Sequence, residues 1–158
     1  MRRMPYAAAV LTLGVWGSVL AVSAALEATA RVVILPSANA PITLDAVRVV
    51  TGPSRLAFTA TNAGPKKITA YAVSVFWFPP AGQRHGFMSQ EQQPLTSFGS
   101  GEVQKAVMPL FDRVTLGSET TLIVAVRSAT FDDGTEWKNS DLNGRVDEKA
   151  RELKLPSS

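Results

Sequence analysis

His85 is the only histidine in this chain, and it is the first residue to consider as a catalytic group. It lies in the polar stretch Gln83-Arg84-His85-Gly86, which follows two prolines. A Ser-His-Asp triad would have to use it as the general base, but no serine stands in a G-x-S-x-G motif. A zinc site would need further nitrogen or thiolate ligands, and the chain has no cysteine. We therefore keep His85 as a binding candidate and predict no catalytic residue.

Three acidic residues, Asp132, Asp133 and Glu136, stand close enough together to offer oxygen ligands to calcium. Their spacing differs from that of an EF-hand loop, which needs a longer set of ligands ending in a bidentate glutamate. Asp-Asp-Gly is also good turn chemistry, so the sequence predicts a hairpin turn here and no metal or other cofactor. The other acidic residues are dispersed, and no pair is singled out for glycoside hydrolysis.

Aromatic side chains are a further candidate, because an exposed group of them can form a platform for a sugar or a peptide. They are concentrated in one segment and at one later position: Tyr71, Phe76, Trp77, Phe78 and Trp137. Aromatics at strand spacing more often belong to a core. Phe76, Phe78 and the loop 81–101 are the positions we expect to be most open to a partner, since binding residues concentrate on loops carried by a rigid scaffold.

The elements that would position these residues are mostly β-strands. Alternating or β-branched runs bounded by Gly, Pro, Asn and Asp predict strands over 44–51, 56–61, 68–78, 86–89, 103–110 and 121–130, with a hairpin partner around Trp137. Ile68–Phe78 is apolar on both faces, which predicts a central strand covered on both sides. Its larger residues are expected to face the main core, and the face with Ala70, Ala72 and Ser74 leaves room for another element.

The C-terminal segment changes period. Leu142, Val146, Ala150 and Leu153 are spaced by four, four and three residues, which predicts a helix over about 140–155. A stripe this narrow does not stabilise an isolated helix, so the helix should dock, with the small-residue face of the central strand as its expected place.

The first thirty residues resemble a secretory signal. A short basic segment precedes Ala7–Leu26, which carries no charge, and A-x-A-like cleavage sites end at Ala24 and Ala30. An uncleaved membrane anchor is the alternative, because 20 uncharged residues can span a bilayer. The remaining residues, 31–158, are then expected to form one domain.

Charge and cysteine content narrow the compartment and the partners. Removal of residues 1–30 would leave 14 basic and 12 acidic side chains, a dispersed net charge of +2 that does not favour nucleic-acid binding. Small secreted eukaryotic domains commonly carry disulfides, whereas this chain has no cysteine. We therefore expect a bacterial protein that is periplasmic or secreted, or anchored if the N-terminal helix is not cleaved.

Three stretches carry a resemblance to a known group: Leu56–Asn62, Lys67–Tyr71 and Phe131–Trp137. With a strand ending in Thr-Asn and a late Asp-Gly-Thr-x-Trp hairpin, residues 44–137 resemble immunoglobulin-like (fibronectin-like) domains of uncharacterised exported bacterial proteins. The resemblance implies a β-sandwich of about six or seven strands, here with a C-terminal helix, and it implies no activity.

The function that we expect from these observations is non-enzymatic. An exported domain of this kind would bind a protein partner or a surface component of the envelope, through a sheet edge or the 81–101 loop. A carbohydrate- or small-ligand-binding module is the alternative, and a hydrolase is the third reading.

Overall fold

The chain is mainly β, as predicted. The structure, a computed structural model, describes residues 30–50, 53–80, 86–110 and 116–156. They form eight strands and one helix, in this order: β1 (Arg31–Ile34), β2 (Ile42–Val50), β3 (Arg55–Asn62), β4 (Ile68–Phe78), β5 (Gly86–Gln92), β6 (Val103–Pro109), β7 (Thr121–Phe131), β8 (Glu136–Lys138) and α1 (Leu142–Glu152). The predicted signal segment, apart from Ala30, lies outside the described residues.

The strands form two sheets. Sheet A has the order β1-β7-β4-β5, with β8 also paired to β7, and sheet B has the order β2-β3-β6. Only the β1–β7 pair is parallel among the described strands. The structure has eight strands in its described residues, one more than the six or seven expected, and the additional strand is β1. Its segment was predicted as an extended lead-in, and it joins the sheet because β7 is long enough to pair with β1 at one end and β8 at the other.

The main core lies between the two sheets. Its buried members on β4 are Ile68, Tyr71, Val73 and Val75. The last three are the larger residues that were predicted to face it. Leu56 and Phe58 of β3 meet them from sheet B. Since β4 pairs with β7 on one side and β5 on the other, it is a central strand, which explains why it is apolar on both faces.

Helix α1 covers part of the outer face of sheet A. Leu142, Val146 and Ala150 are buried there, as the spacing of the stripe predicted. They form a second apolar cluster with four residues of the strands, Phe76, Phe78, Ile123 and Ala125. The helix therefore docks on the outer face of sheet A, over β7 and the aromatic end of β4, and not over the small residues of β4 that were predicted to receive it. Within the described residues, no helix is long and apolar enough to span a membrane.

The turn between β3 and β4 is organised by one buried amide. Asn62 is 0% exposed, and its Nδ2 donates to the carbonyl oxygens of Lys66 (2.8 Å) and Phe98 (2.9 Å). Its Oδ1 accepts from the backbone N–H of Gly64 at 2.9 Å. The amide thus ties the predicted Asn-Ala-Gly-Pro turn to the segment that follows β5.

Candidate functional site

Phe76 and Phe78, the two aromatic residues expected to face a partner, lie on the outer face of β4 beneath α1. They are only 9% and 6% exposed, because Val146 of the helix packs in the same cluster. Neither side chain projects into solvent. Each nevertheless borders open space, since both line a groove between β5 and the helix.

Phe87 is the exposed aromatic residue of this region. It lies on the outer face of β5, opposite Phe76 in the strand register, and it is 60% exposed. Its ring stacks on that of Phe76, with centroids 5.7 Å apart and an interplanar angle of 25°. Sequence reasoning did not single out Phe87. The available signal was the pair Phe87-Met88. Adjacent residues of a strand point to opposite faces, so one of these two large apolar side chains has to lie on the outer face of the sheet.

The groove, which we call the β5–α1 groove, has a volume of about 420 Å³. Phe76, Phe78 and Phe87 supply its apolar wall, while Asn143 and Asp147 of the helix supply a polar rim. This combination fits a protruding apolar side chain whose neighbours are polar or basic, since Asp147 would attract a cation at the rim.

The backbone of β5 borders this groove as the end strand of sheet A. Its register with β4 runs without a shift from Tyr71↔Gln92 to Trp77↔Gly86. The strand contains no proline, lysine or arginine, and its one charged residue is Glu91. Edge strands that are regular and lack such residues are templates for pairing with another chain.

The other edges carry features that oppose such pairing. Strand β2 has Ala46 at a φ of 50° and a register shift between Asp45 and Arg48. On the far side of sheet A, β1 has four residues and β8 has three. Strand β6 contains a lysine and ends at Pro109. Irregularity, shortness, lysine and proline all disfavour edge-to-edge association, so β5 is the least protected edge among the described strands.

Gly86 is the first residue of β5, and the position of Trp77 beside it leaves no room for a side chain. A Cβ atom at Gly86 would overlap the indole ring of Trp77, the residue it faces in the strand register. His85, the remaining candidate from the sequence, precedes Gly86 and lies outside the described residues.

The other aromatic candidates do not form an external platform. Trp77 and Trp137 are partly buried and pack against the main core between the sheets. Tyr71 is buried in that core, with its ring edge-on to Phe98 at a centroid distance of 5.9 Å.

The acidic cluster forms a hairpin turn. Asp133 pairs with Lys66 Nζ at 2.6 Å and accepts hydrogen bonds from the hydroxyl and backbone N–H of Thr135. The hydrogen bond from Lys66, followed by those from Thr135, holds the pKa of Asp133 well below its usual range. Among the described residues, no group of three His, Cys, Asp or Glu side chains could hold a metal ion.

Comparisons with known proteins give a fold and no function. No family model matches this chain, and no curated protein matches it significantly. A 1.85 Å X-ray structure of a hypothetical protein from Peptoclostridium difficile 630 is similar, with a TM-score of 0.50 over 71% of this chain and 92% of that one. The two sequences are 13% identical, so the likeness shows a common β-sandwich-like architecture alone.

Proposed function

We propose that this chain is an exported, non-enzymatic, immunoglobulin-like domain that binds a protein partner of the bacterial envelope along strand β5. The partner would add an extended segment to the free edge of β5 and place an apolar side chain in the β5–α1 groove. The observation that carries the proposal is the combination of an unprotected edge strand and an exposed aromatic residue on it.

Two kinds of contact contribute to this mode of binding. Backbone hydrogen bonds along β5 supply affinity with little dependence on sequence. Side-chain contacts supply specificity, and Phe87 is the natural anchor, because aromatic residues next to an apolar pocket dominate interface energies. Its stacking on Phe76 holds the ring in place before the partner arrives, which lowers the entropic cost of binding.

Site-specific photo-crosslinking in the bacterial envelope tests the proposal. A photo-reactive residue replaces Phe87 in the full chain, and the matched control replaces Val107, which is 55% exposed on β6 of the other sheet. We expect one partner to crosslink at position 87 and none at position 107. Phe87→Lys should weaken the purified complex by about 30-fold or more, corresponding to an anchor worth about 2 kcal/mol, and Val107→Lys should leave it unchanged.

Two results would contradict this function. Equal crosslinking from positions 87 and 107 would show that other proteins contact this chain without a defined binding surface. A complex that survives Phe87→Lys unchanged would place the partner elsewhere. A crosslinked dimer of this chain would keep the surface and replace the proposed partner with a second copy.

The position of Ala30 bears on the proposed export. Ala30 is 7% exposed and belongs to the main core, and the N–H of the next residue, Arg31, donates to Thr120 at 2.9 Å. Cleavage after Ala24 would keep both contacts, whereas cleavage after Ala30 would remove a core residue and place a charged amine at this bond. We therefore expect the mass of the exported protein to correspond to cleavage after Ala24. A mass that corresponds to a chain beginning at Arg31 would contradict cleavage after Ala24. The mass of the uncleaved chain would support the anchored alternative.

A further inference from the structure

Three buried polar atoms without a hydrogen-bond partner lie on the inner face of neighbouring strands. They are Tyr71 Oη on β4 and Gln90 Oε1 and Gln92 Nε2 on β5. Tyr71 and Gln92 stand directly opposite each other in the strand register, and Gln90 follows on the same face of β5. Buried polar atoms are almost always paired, because an unpaired one costs stability, so three together require an explanation.

Two of these residues, Tyr71 and Gln92, border a cleft between the edge strands of the two sheets, which we call the Tyr71 cleft. It has a volume of about 360 Å³ and is lined by Tyr71 and Gln92 on one side and by Gln104, Lys105 and Ala106 of β6 on the other. The segment 93–96 forms its rim. This volume is at the lower end of the range for small-molecule sites.

The ring of Tyr71 and the rim of the cleft are held in place without a ligand. Tyr71 is 1% exposed, and its ring lies edge-on against Phe98 at an angle of 66°. At the rim, the side-chain amide of Gln104 donates to the carbonyl oxygen of Thr96 at 3.2 Å, which ties the segment 93–96 to β6. The phenol ring of Tyr71 therefore has a defined position in the wall of the cleft.

The chemistry of the two unpaired atoms in the lining, Tyr71 Oη and Gln92 Nε2, selects a class of ligand. An amide nitrogen donates, and a phenol donates or accepts. Neither group is charged, and burial raises the pKa of Tyr71 to about 12, so the phenol stays neutral. An ionic ligand would lose its hydration without a buried counter-charge, since Lys105, the charged residue of the lining, is exposed. An apolar ligand would leave both atoms unpaired.

We infer that the Tyr71 cleft binds a neutral polyhydroxylated molecule of monosaccharide size. Adjacent sugar hydroxyls donate and accept at the same time, which matches the amide donor of Gln92 and the phenol of Tyr71. Either a free sugar or the terminal unit of a glycan presents this chemistry. The cleft lies on the opposite face of β5 from Phe87, so the inference is independent of the proposed protein-binding function.

Nuclear magnetic resonance titration of the purified protein tests this inference. The probes are neutral sugars (glucose, galactose, mannose and N-acetylglucosamine), followed by methyl glycosides and disaccharides of any sugar that binds. We expect saturable shifts of the side-chain amide signals of Gln92. Binding of the glycosides with equal affinity would identify the end of a glycan, and loss of binding on glycosidation would identify a free sugar.

Two hydroxyl deletions separate ligand binding from folding. Tyr71→Phe removes only the unpartnered hydroxyl, so it should leave Tm unchanged or raise it while weakening sugar binding about tenfold or more. Ser74→Ala is the matched control, because Ser74 is also buried but its Oγ bonds to Ser89 Oγ at 3.1 Å on the outer face. That variant should lower Tm and leave sugar binding unchanged.

Three results would overturn the inference. The first is the absence of saturable shifts with every sugar of the panel. The second is sugar binding that persists unchanged in Tyr71→Phe. The third is a drop in Tm for Tyr71→Phe as large as for Ser74→Ala, with a long-lived water detected at the phenol, because a structural water would then account for the hydroxyl.

Discussion

Replacing Asn62 with alanine should cost this fold more than replacing any exposed polar side chain. The side chain of Asn62 is fully buried and makes three hydrogen bonds, with donor–acceptor distances of 2.8, 2.9 and 2.9 Å. Two of them hold the turn that joins β3 to β4. The third reaches Phe98, whose backbone also pairs with Ile68 at the start of β4.

The expected size of the effect follows from what each lost bond leaves behind. The carbonyl oxygen of Phe98 is buried but keeps the hydrogen bond from the N–H of Ile68, so loss of the amide there costs about 0.5–1.5 kcal/mol. The bonds to Lys66 and Gly64 are partly buried, so water can replace the amide there and each contributes about 0.5–1 kcal/mol. We therefore expect Asn62→Ala to lower the free energy of unfolding by about 2.5 kcal/mol.

Urea denaturation followed by tryptophan fluorescence measures this loss. With an m-value of about 2 kcal/mol/M, the midpoint should fall by about 1.2 M. Asn143→Ala is the matched control, because Asn143 is exposed on α1, and its midpoint should stay within about 0.25 M of the parent. A loss below about 0.5 kcal/mol for Asn62→Ala would refute the reasoning that this amide organises the turn.

Three further predictions concern the helix, the hairpin and the start of β5. Val146→Ala should destabilise the protein by about 2 kcal/mol and speed tryptic cleavage within α1, because Val146 is 2% exposed in the cluster that docks the helix; unchanged cleavage would argue against docking. Asp133 has a pKa below its ordinary value of about 4, so its stabilising pair with Lys66 is fully present above that pH and is lost as the pH falls through the lowered pKa. Urea midpoints of the parent and Asp133→Asn should therefore differ at pH 7, and the difference should shrink steadily as the pH falls below about 4. A difference that stays constant between pH 7 and pH 2 would contradict this. Gly86→Ala should shift the emission of Trp77, because the new methyl group displaces the indole; an unchanged spectrum would place the ring elsewhere.

The strands of this fold were predictable where their periodicity is clear. Ile68–Phe78 was predicted with both ends correct, and alternation alone assigned Tyr71, Val73 and Val75 to the inner face. Ile68, which alternation places on the face of Ala70 and Ala72, lies in the main core instead, because register shifts after Ile68 and Ala72 interrupt the alternation. Strand β1 was not predicted, because a four-residue segment followed by Pro36 has no period of its own and depends on pairing with β7. Helix α1 was predicted because Leu142, Val146 and Ala150 repeat along one stripe.

The candidate site depends on features that local sequence patterns did not predict. Phe76 and Phe78 were singled out correctly as aromatics on the second face of β4, but their exposure depended on whether α1 covered them or stood apart. Phe87 became prominent only because β5 lies at the end of sheet A, and strand order is not written in any local pattern. His85 remains a sequence candidate outside the described residues.

Local pattern alone determined that this chain is mainly β with a C-terminal helix, because alternation, turn residues and helical spacing act over a few neighbouring residues. The Asn62 turn and the Asp133 hairpin are likewise determined by a few neighbouring residues. Tertiary structure decided which strand is an edge, which aromatics are covered and which polar atoms meet without partners. Those properties depend on contacts between residues far apart in the chain, as when Tyr71 and Gln104 come to line one cleft.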